Sequence, residues 1–129
     1  MVIDTSAILA WLKREPERER IVAALEAHKV YRLSAVSLLE AYIVVRAREH
    51  PIMISKLQRF LEEIGVVVMP FDERQARLAD VAFQRYGKGQ GHPAQLNFGD
   101  CAVYALAKTL DEPLLFVGSD FAQTDIKQC

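Results

Sequence analysis

Cysteine is scarce in this sequence, and its placement predicts neither a disulfide nor a zinc site. The 129 residues include only Cys101 and Cys129. Neither belongs to a C-x-x-C motif or to a cluster with histidine of the kind that binds zinc, and two isolated cysteines make no disulfide framework. We therefore expect two reduced thiols and exclude the disulfide-stapled and zinc-bound classes of small domain.

Long apolar runs and an excess of positive charge are also missing. No run approaches the roughly 18 apolar residues that span a bilayer, and the chain does not open with the pattern of a secretory signal. We therefore expect a cytoplasmic protein that does not bind membranes. The formal net charge is −1, so the chain has no general positive field to attract nucleic acid, and any basic binding surface must be local.

The apolar residues that are present are distributed as in a single α/β domain covering residues 1–129. They make up 51% of the chain, which is enough for one continuous core. Short apolar runs alternate with longer amphipathic segments; the runs predicted as strands are residues 1–3, 30–33, 66–69 and 114–117. The unbroken apolar run at 66–69 predicts a strand covered on both faces. Strands separated by helices predict an α/β/α sandwich around a mainly parallel sheet of four to five strands.

Two aspartates directly follow predicted strands. Asp4 ends the first strand and Asp120 follows the last one, and sites in open α/β folds lie at the carboxyl ends of the strands. Each residue also has a plainer explanation. Asp4 could cap the helix that begins at Thr5 or Ser6, and Asp120 could be a turn residue.

Glu40 lies on a predicted helix that begins at Ser34 or Ser37 and runs to about Arg48. It shares a helical stripe with apolar residues, which are Val36, Ile43, Val44 and Ala47. We therefore predict that its carboxylate points with the apolar face, where a glutamate needs a cation or a hydrogen-bond network. The alternative is that Glu40 lies at the edge of the stripe and reaches water or an arginine.

Asp100 has two interpretations as well. With Asn97 as the N-cap of the next helix, Asp100 occupies the N3 position, where an acid stabilises the helix start. Its stripe continues, however, through apolar residues, namely Val103, Tyr104 and Ala107, so we predict that Asp100 faces inward. Gly99 beside it lacks a side chain where another group can approach closely.

The four acids Asp4, Glu40, Asp100 and Asp120 could therefore converge. Two like charges about 4 Å apart repel by about 4 kcal/mol at an effective dielectric constant near 20, so such a cluster must take up protons or bind a divalent cation. Oxygen ligands favour Mg²⁺ or Mn²⁺, and a pair of such ions is the usual clamp for attack on a phosphodiester. Thr5 and Ser6 could orient Asp4 or a water on the metal.

Four motifs, in this order, resemble those of the VapC-type PIN-domain ribonucleases, the toxins of type II toxin-antitoxin pairs. They are VIDTSA at residues 2–7, SAVSLLE at 34–40, LNFGDC at 96–101 followed by YALA at 104–107, and LLFVGSDF at 114–121 followed by TDI at 124–126. Each motif is short, but the four together cover the whole chain with the spacing of that family. The resemblance implies a PIN-like fold.

The resemblance also implies the chemistry of the site. Asp4, Glu40 and Asp100 would hold one or two Mg²⁺ or Mn²⁺ ions, with Asp120 as a fourth ligand or acting through a water. The metal would activate a water that attacks an RNA phosphate and leaves a 5′-phosphate and a 3′-hydroxyl. Ser119 stands where relatives commonly carry Asn or Asp, so Asp125 remains an alternative to Asp120.

RNA contacts and protein partners follow from local features and from the resemblance. The glycine-rich loop 87–92 offers Lys88 and His92 to phosphate; a plain surface loop is the alternative. The resemblance implies a homodimer and a VapB-type antitoxin that covers the site and offers an arginine to the acids. The predicted helix at 51–65 carries many apolar residues, which suggests a second surface to cover or a wider core stripe; they are Ile52, Met53, Ile54, Leu57, Phe60 and Leu61.

Two other classes share parts of this pattern. One is a non-catalytic regulatory or interaction module with a PIN-like or receiver-like fold, in which the acids bind Mg²⁺ without catalysis. A receiver would carry paired acids after its first strand, where this chain has Thr5 and Ser6 after Asp4. The other is a haloacid-dehalogenase-like phosphatase, which would carry a second aspartate at the position of Ser6.

Overall fold

Four short parallel strands form the centre of the molecule. The structure, a computed structural model, describes residues 1–129. The sheet has the order β3-β2-β1-β4, and all of its pairings are parallel. The strands are β1 (Val2–Ile3), β2 (Arg32–Ser34), β3 (Val67–Met69) and β4 (Leu114–Leu115). The parallel α/β architecture predicted from the alternation of short and long segments is therefore confirmed.

Six α-helices connect and cover the strands, in the order expected from the sequence. They are α1 (Thr5–Leu12), α2 (Arg18–Ala27), α3 (Ala35–Arg48), α4 (Ile52–Glu63), α5 (Glu73–Tyr86) and α6 (Phe98–Leu110), and a short 3₁₀ helix follows at Phe121–Gln123. None of these helices is both long and apolar enough to cross a membrane.

Two helices, α1 and α3, begin at side chains that cap them at the carboxyl edge of the sheet. Asp4 directly follows β1 and accepts a hydrogen bond from the Ser6 amide, 3.0 Å away. Ser34 ends β2 and accepts one from the Val36 amide. Because each strand ends where a helix begins, the first turns of α1 and α3 lie side by side at this edge. The chain reverses there with its polar groups satisfied.

Alternate strand residues point to opposite faces of the sheet and separate two cores. Ile3, Leu33 and Leu115 belong to the core beneath α1–α4. Val2 and Leu114 belong to the core that α5 and α6 cover on the opposite face. This alternation is the geometry of a pleated strand, and it produces the predicted α/β/α sandwich.

Strand β3 departs from the expectation that it is covered on both faces. It is the edge strand of the sheet, and Val67 and Val68 remain 48% and 42% exposed. An apolar run predicts a strand but not the position of that strand in the sheet. The position depends on the order of the strands, which the run does not specify. The prediction of full burial was therefore wrong.

The apolar stripe that was expected to draw Glu40 inward is not the buried face of α3. Ile43 is 56% exposed and Ala47 is also exposed, whereas the buried face consists of Ser37, Ala41 and Val45. The two stripes differ by about 100° around the helix, the rotation of one residue. The stated reason for Glu40 facing inward was therefore wrong, although Glu40 itself is half-buried.

The apolar residues of α4 mostly serve the core. Leu57, Phe60 and Leu61 are buried, Met53 and Ile54 pack against the same core, and Ile52 is exposed. Of the two explanations left open by the sequence, the wider core stripe therefore describes this helix.

The start of α6 provides a test of local stability. The Asn97 side chain accepts a hydrogen bond from the Asp100 amide at 2.9 Å, and the Asp100 carboxylate accepts one from the Asn97 amide at 3.0 Å. We expect Asn97→Ala to lower the free energy of unfolding by about 1 kcal/mol, because the first of these bonds is lost. Urea denaturation measures the change, and Asn97→Ser, which can still cap the helix, is the control. If the alanine variant were as stable as the serine variant, the capping box would contribute nothing.

Candidate active site at the carboxyl edge of the sheet

Asp4 is buried at the end of β1 and is held from two sides. Its amide donates to the Leu115 carbonyl at 2.9 Å, which continues the β1–β4 ladder. Its Oδ2 accepts hydrogen bonds from both the amide and the hydroxyl of Ser6. The Ser6 hydroxyl also accepts from the Val117 amide at 3.0 Å. Ser6 therefore joins the Asp4 carboxylate to the chain that leaves β4.

Burial also changes the proton affinity of Asp4. It raises the pKa of this carboxyl above its ordinary value; the Ser6 hydrogen bonds oppose the shift, and the negative charge of Glu40 adds to it. Glu40 must therefore lie close enough to Asp4 for the two charges to interact.

Thr5 links the two helices that carry Asp4 and Glu40. Its hydroxyl donates to the Ser37 carbonyl in the first turn of α3, at 3.1 Å in a buried setting. The bond holds the start of α1 against the start of α3. Thr5 therefore supports the relative position of the two acids.

Glu40 reaches from α3 to the first turn of α6. Its carboxylate lies against Gly99: a methyl group built on Gly99 would overlap Oε2 of Glu40 and lie 3.1 Å from its Cδ. Glu40 is therefore the group that uses the space left by this glycine.

The pKa of Asp100 shows the effect of burial and of the neighbouring charges. Burial raises its pKa from 3.8 to about 7; the hydrogen bond from the Asn97 amide opposes the shift, and the charges of Asp4, Asp120 and Glu40 add to it. The same carboxylate completes the capping box of α6. Asp100 therefore lies close enough to the three other predicted acids for their charges to act on it, and it caps α6 while it is partly buried toward them.

The two candidates for the fourth acid have different surroundings. Asp120 is exposed before the 3₁₀ helix, and its charge helps to raise the pKa of Asp100. Asp125 accepts hydrogen bonds from the Tyr104 hydroxyl at 2.6 Å and from Nζ of Lys108 at 2.9 Å. These bonds, the one from Tyr104 first, keep the pKa of Asp125 below its ordinary value despite partial burial. Asp125 is therefore engaged on the flank of α6, and the geometry favours Asp120.

The chemistry of this cluster suits a hard divalent cation. All six ion pairs of the structure involve other acids. No three His, Cys, Asp or Glu side chains lie close enough together in this arrangement to hold a metal ion already. The nearby donors are carboxylate oxygens, which Mg²⁺ and Mn²⁺ prefer, and a cation would offset the negative charges that add to the effect of burial on the pKa of Asp100. The residues therefore fit such an ion, and their role as its ligands stays a prediction.

The loop after α5 carries the two residues predicted to meet RNA. Lys88 is exposed, with its amide bonded to the Leu96 carbonyl. His92 accepts a hydrogen bond from the Ala94 amide at 3.0 Å, and its ring packs edge-on against Tyr86. His92 therefore helps to shape the loop, and contact of either residue with RNA stays a prediction.

Some residues that support the site carry no recognisable signal in the sequence. The Val117 amide and the Ser37 carbonyl act through the backbone, so their side chains do not reveal them. Tyr104 and Lys108, four residues apart on α6, bear on the site only by binding the alternative acid, Asp125. The i, i+4 spacing could have suggested a shared partner, but not its identity.

The raised pKa of Asp100 predicts a pH-dependent stability. The folded state binds this proton more tightly than the unfolded chain, so the stabilisation is complete below about pH 3.8 and is lost as the pH rises through about 7. Asp100→Asn removes the titrating group. In EDTA, we therefore expect its melting temperature to rise relative to the unsubstituted protein between about pH 5 and about pH 8. Thermal denaturation of both proteins across this range measures the difference. A difference that did not change with pH would show that Asp100 titrates normally.

Comparison with known proteins identifies the family. The PIN domain model matches residues 1–127. Ribonuclease VapC28 from Mycobacterium tuberculosis is 47% identical over 128 residues, which cover 99% of this chain and 96% of that protein. Ribonuclease VapC30 from the same species is 44% identical over 126 residues, which cover 98% of this chain and 95% of that protein.

Solved structures share the fold at low sequence identity. The crystal structure of Mycobacterium tuberculosis VapC20, described as a sarcin-ricin loop cleaving toxin, aligns with a TM-score of 0.80 at 13% identity, covering 99% of this chain and 97% of that one. A toxin-antitoxin complex from Klebsiella pneumoniae aligns with a TM-score of 0.70 at 17% identity, covering 96% and 92%. With the family match over almost all of its length and VapC relatives above 40% identity, the chain belongs to the VapC ribonucleases of the PIN-domain family.

Proposed function

We propose that this protein is a Mg²⁺- or Mn²⁺-dependent endoribonuclease, the toxin of a toxin-antitoxin pair, that consists of a single PIN domain over residues 1–129. The observation that carries the proposal is that the Glu40 carboxylate lies against Gly99, next to Asp100, whose pKa burial and the charges of Asp4, Asp120 and Glu40 raise to about 7. Acids gathered in this way at the carboxyl edge of a parallel sheet suit metal-assisted phosphodiester hydrolysis. A cytoplasmic site of action is part of the same proposal.

The proposed metal ligands are Asp4, Glu40 and Asp100, with Asp120 as a fourth ligand or acting through a water. When bound, the ion supplies positive charge to the phosphate and lowers the pKa of a water. Asp100 contributes because its hydrogen bond from Asn97 engages only Oδ2, which leaves Oδ1 for a cation. Ser6 orients Asp4 through two hydrogen bonds, an arrangement that commonly supports metal ligands.

Three other residues, namely Lys88, His92 and Thr5, would help to position the RNA. Lys88 and His92 lie on the loop after α5, and we propose that they contact the phosphate backbone, where a local cation offsets the overall charge of −1. The hydrogen bond from Thr5 to the Ser37 carbonyl joins the starts of α1 and α3. It would therefore keep Asp4 and Glu40 in a fixed relative position when the substrate binds.

An RNA cleavage assay tests the catalytic proposal. We expect the unsubstituted protein to cleave structured RNA with Mg²⁺ and to stop in EDTA. We expect Asp4→Asn and Asp100→Asn to lose at least about 100-fold in rate, the upper range for loss of a group that supports a metal. Asp111→Asn is the matched control, because Asp111 is exposed after the far end of α6 and pairs with Lys127.

The outcomes of this assay separate the candidate functions. Cleavage that persists in EDTA, or that is unchanged in Asp4→Asn, would contradict the metal-nuclease proposal. Binding of Mn²⁺ that Asp4→Asn abolishes, without RNA cleavage by the unsubstituted protein, would instead support the non-catalytic Mg²⁺-binding module. Loss of activity in the Asp111→Asn control would point to a general folding defect.

We also propose a VapB-type antitoxin as a protein partner. The Klebsiella pneumoniae protein that shares this fold was solved as a toxin-antitoxin complex. Burial and the charges of three acids raise the pKa of Asp100, and an arginine could offset those charges as well as a metal ion could. An antitoxin that offers an arginine to the acids would therefore compete with the metal and inhibit cleavage.

A second copy of the chain is the other proposed protein partner. Leu39 and Ile43 are 60% and 56% exposed and lie four residues apart on α3, so they form one apolar ridge beside Glu40. Burying this ridge in a homodimer would remove it from water.

The oligomeric state tests the proposed dimer surface. We expect light scattering after size-exclusion chromatography to give a dimer for the unsubstituted protein and a monomer for Leu39→Glu, because the charge would be buried. Ile52→Glu is the control, since Ile52 is similarly exposed but begins α4. A dimer that survived Leu39→Glu and dissociated in the control would place the interface elsewhere.

A further inference from the structure

Gly99 is a glycine that its own backbone does not require. Four glycines of the chain, at positions 65, 89, 91 and 118, have positive φ angles that favour glycine, and Gly99 is not one of them. It is the second residue of α6, where alanine would be the better helix former. The backbone conformation therefore does not explain the glycine, and the explanation must be a neighbouring group that occupies the space of a side chain.

The group that approaches Gly99 is the carboxylate of Glu40. A methyl group at position 99 would overlap Oε2 of Glu40 and would lie 3.1 Å from Cδ and 3.4 Å from Oε1. All three of the nearest atoms belong to this one carboxylate. The space that a side chain would fill at position 99 is therefore occupied by Glu40.

This contact matters because the other proposed ligands are held differently. Asp4 is oriented by hydrogen bonds from Ser6, and Asp100 by one from the Asn97 amide. The Glu40 carboxylate instead packs against the Gly99 backbone. Its side chain has three rotatable bonds, so a small displacement at its tip can move it away from Asp4 and Asp100.

We infer that Gly99 is a positioning residue: by lacking a side chain, it lets the Glu40 carboxylate lie beside Asp100 in the geometry that binds the metal. The inference rests on the proposed function of the acid cluster. Gly99 itself contacts neither metal nor RNA and acts only through Glu40.

Gly99→Ala tests this role with a readout other than activity. We expect its affinity for Mn²⁺, measured by isothermal titration calorimetry, to fall by about tenfold or more, the usual effect of disturbing a residue that orients a metal ligand. RNA cleavage should fall in parallel. The melting temperature in EDTA should stay the same or rise, because alanine is favoured in a helix and the flexible tip of Glu40 can move aside.

A double-mutant cycle with Glu40→Ala shows whether the effect passes through Glu40. In the Glu40→Ala background, Gly99→Ala should leave the Mn²⁺ affinity unchanged, because the displaced carboxylate is already absent. An equal loss of affinity in both backgrounds would overturn the inference. If Gly99→Ala lowers the melting temperature, reversal by Glu40→Ala supports the proposed overlap, and a loss that persists overturns it.

Failure of this inference can be distinguished from failure of the proposed function. If the unsubstituted protein binds Mn²⁺ and cleaves RNA only with metal, while Gly99→Ala matches it in both, the positioning role alone is wrong. If the unsubstituted protein binds no Mn²⁺ and cleaves RNA in EDTA, the metal-nuclease proposal is wrong, and the role of Gly99 falls with it.

Discussion

The burial of neighbouring carboxylates at one edge of the sheet is the constraint on which this structure depends. Burial and the charges of its neighbours raise the pKa of Asp100 to about 7, and burial raises that of Asp4 as well. A fold that keeps such groups together loses part of its stability at the pH values where they are ionised. Groups with strongly shifted pKa values are concentrated at functional sites.

Two of the acids offset part of this loss of stability because they also make hydrogen bonds that stabilise the fold. Asp4 caps α1 while its amide extends the β1–β4 ladder, and Asp100 closes the capping box of α6. Helix N-termini favour negative charge, so the starts of α1 and α6 are places that can tolerate these carboxylates. Capping and a role in the site, considered as alternatives from the sequence, are compatible for both residues.

Glu40 shows how the right residue can be selected for the wrong reason. The apolar stripe that was expected to carry it inward is partly exposed, and the buried face of α3 lies one residue further round the helix. Glu40 approaches the other acids because α3 meets the start of α6 at Gly99, where no side chain intervenes. Helical periodicity indicates which residues share a face, but the partner of that face depends on how the helices pack.

The sequence by itself determined the order of strands and helices, caps such as Asp4 and Asn97, the α/β class, and the four acids as candidates. These features depend on signals that span a few residues, namely apolar periodicity, capping and turn chemistry, together with motifs that resemble a family. Only the tertiary structure decided that β3 lies at the edge of the sheet and that Glu40 packs on Gly99. It also decided that Asp125 binds Tyr104 and Lys108. The charge of Asp120, by contrast, acts on Asp100. Each of these depends on contacts between segments far apart in the chain, which local patterns do not encode.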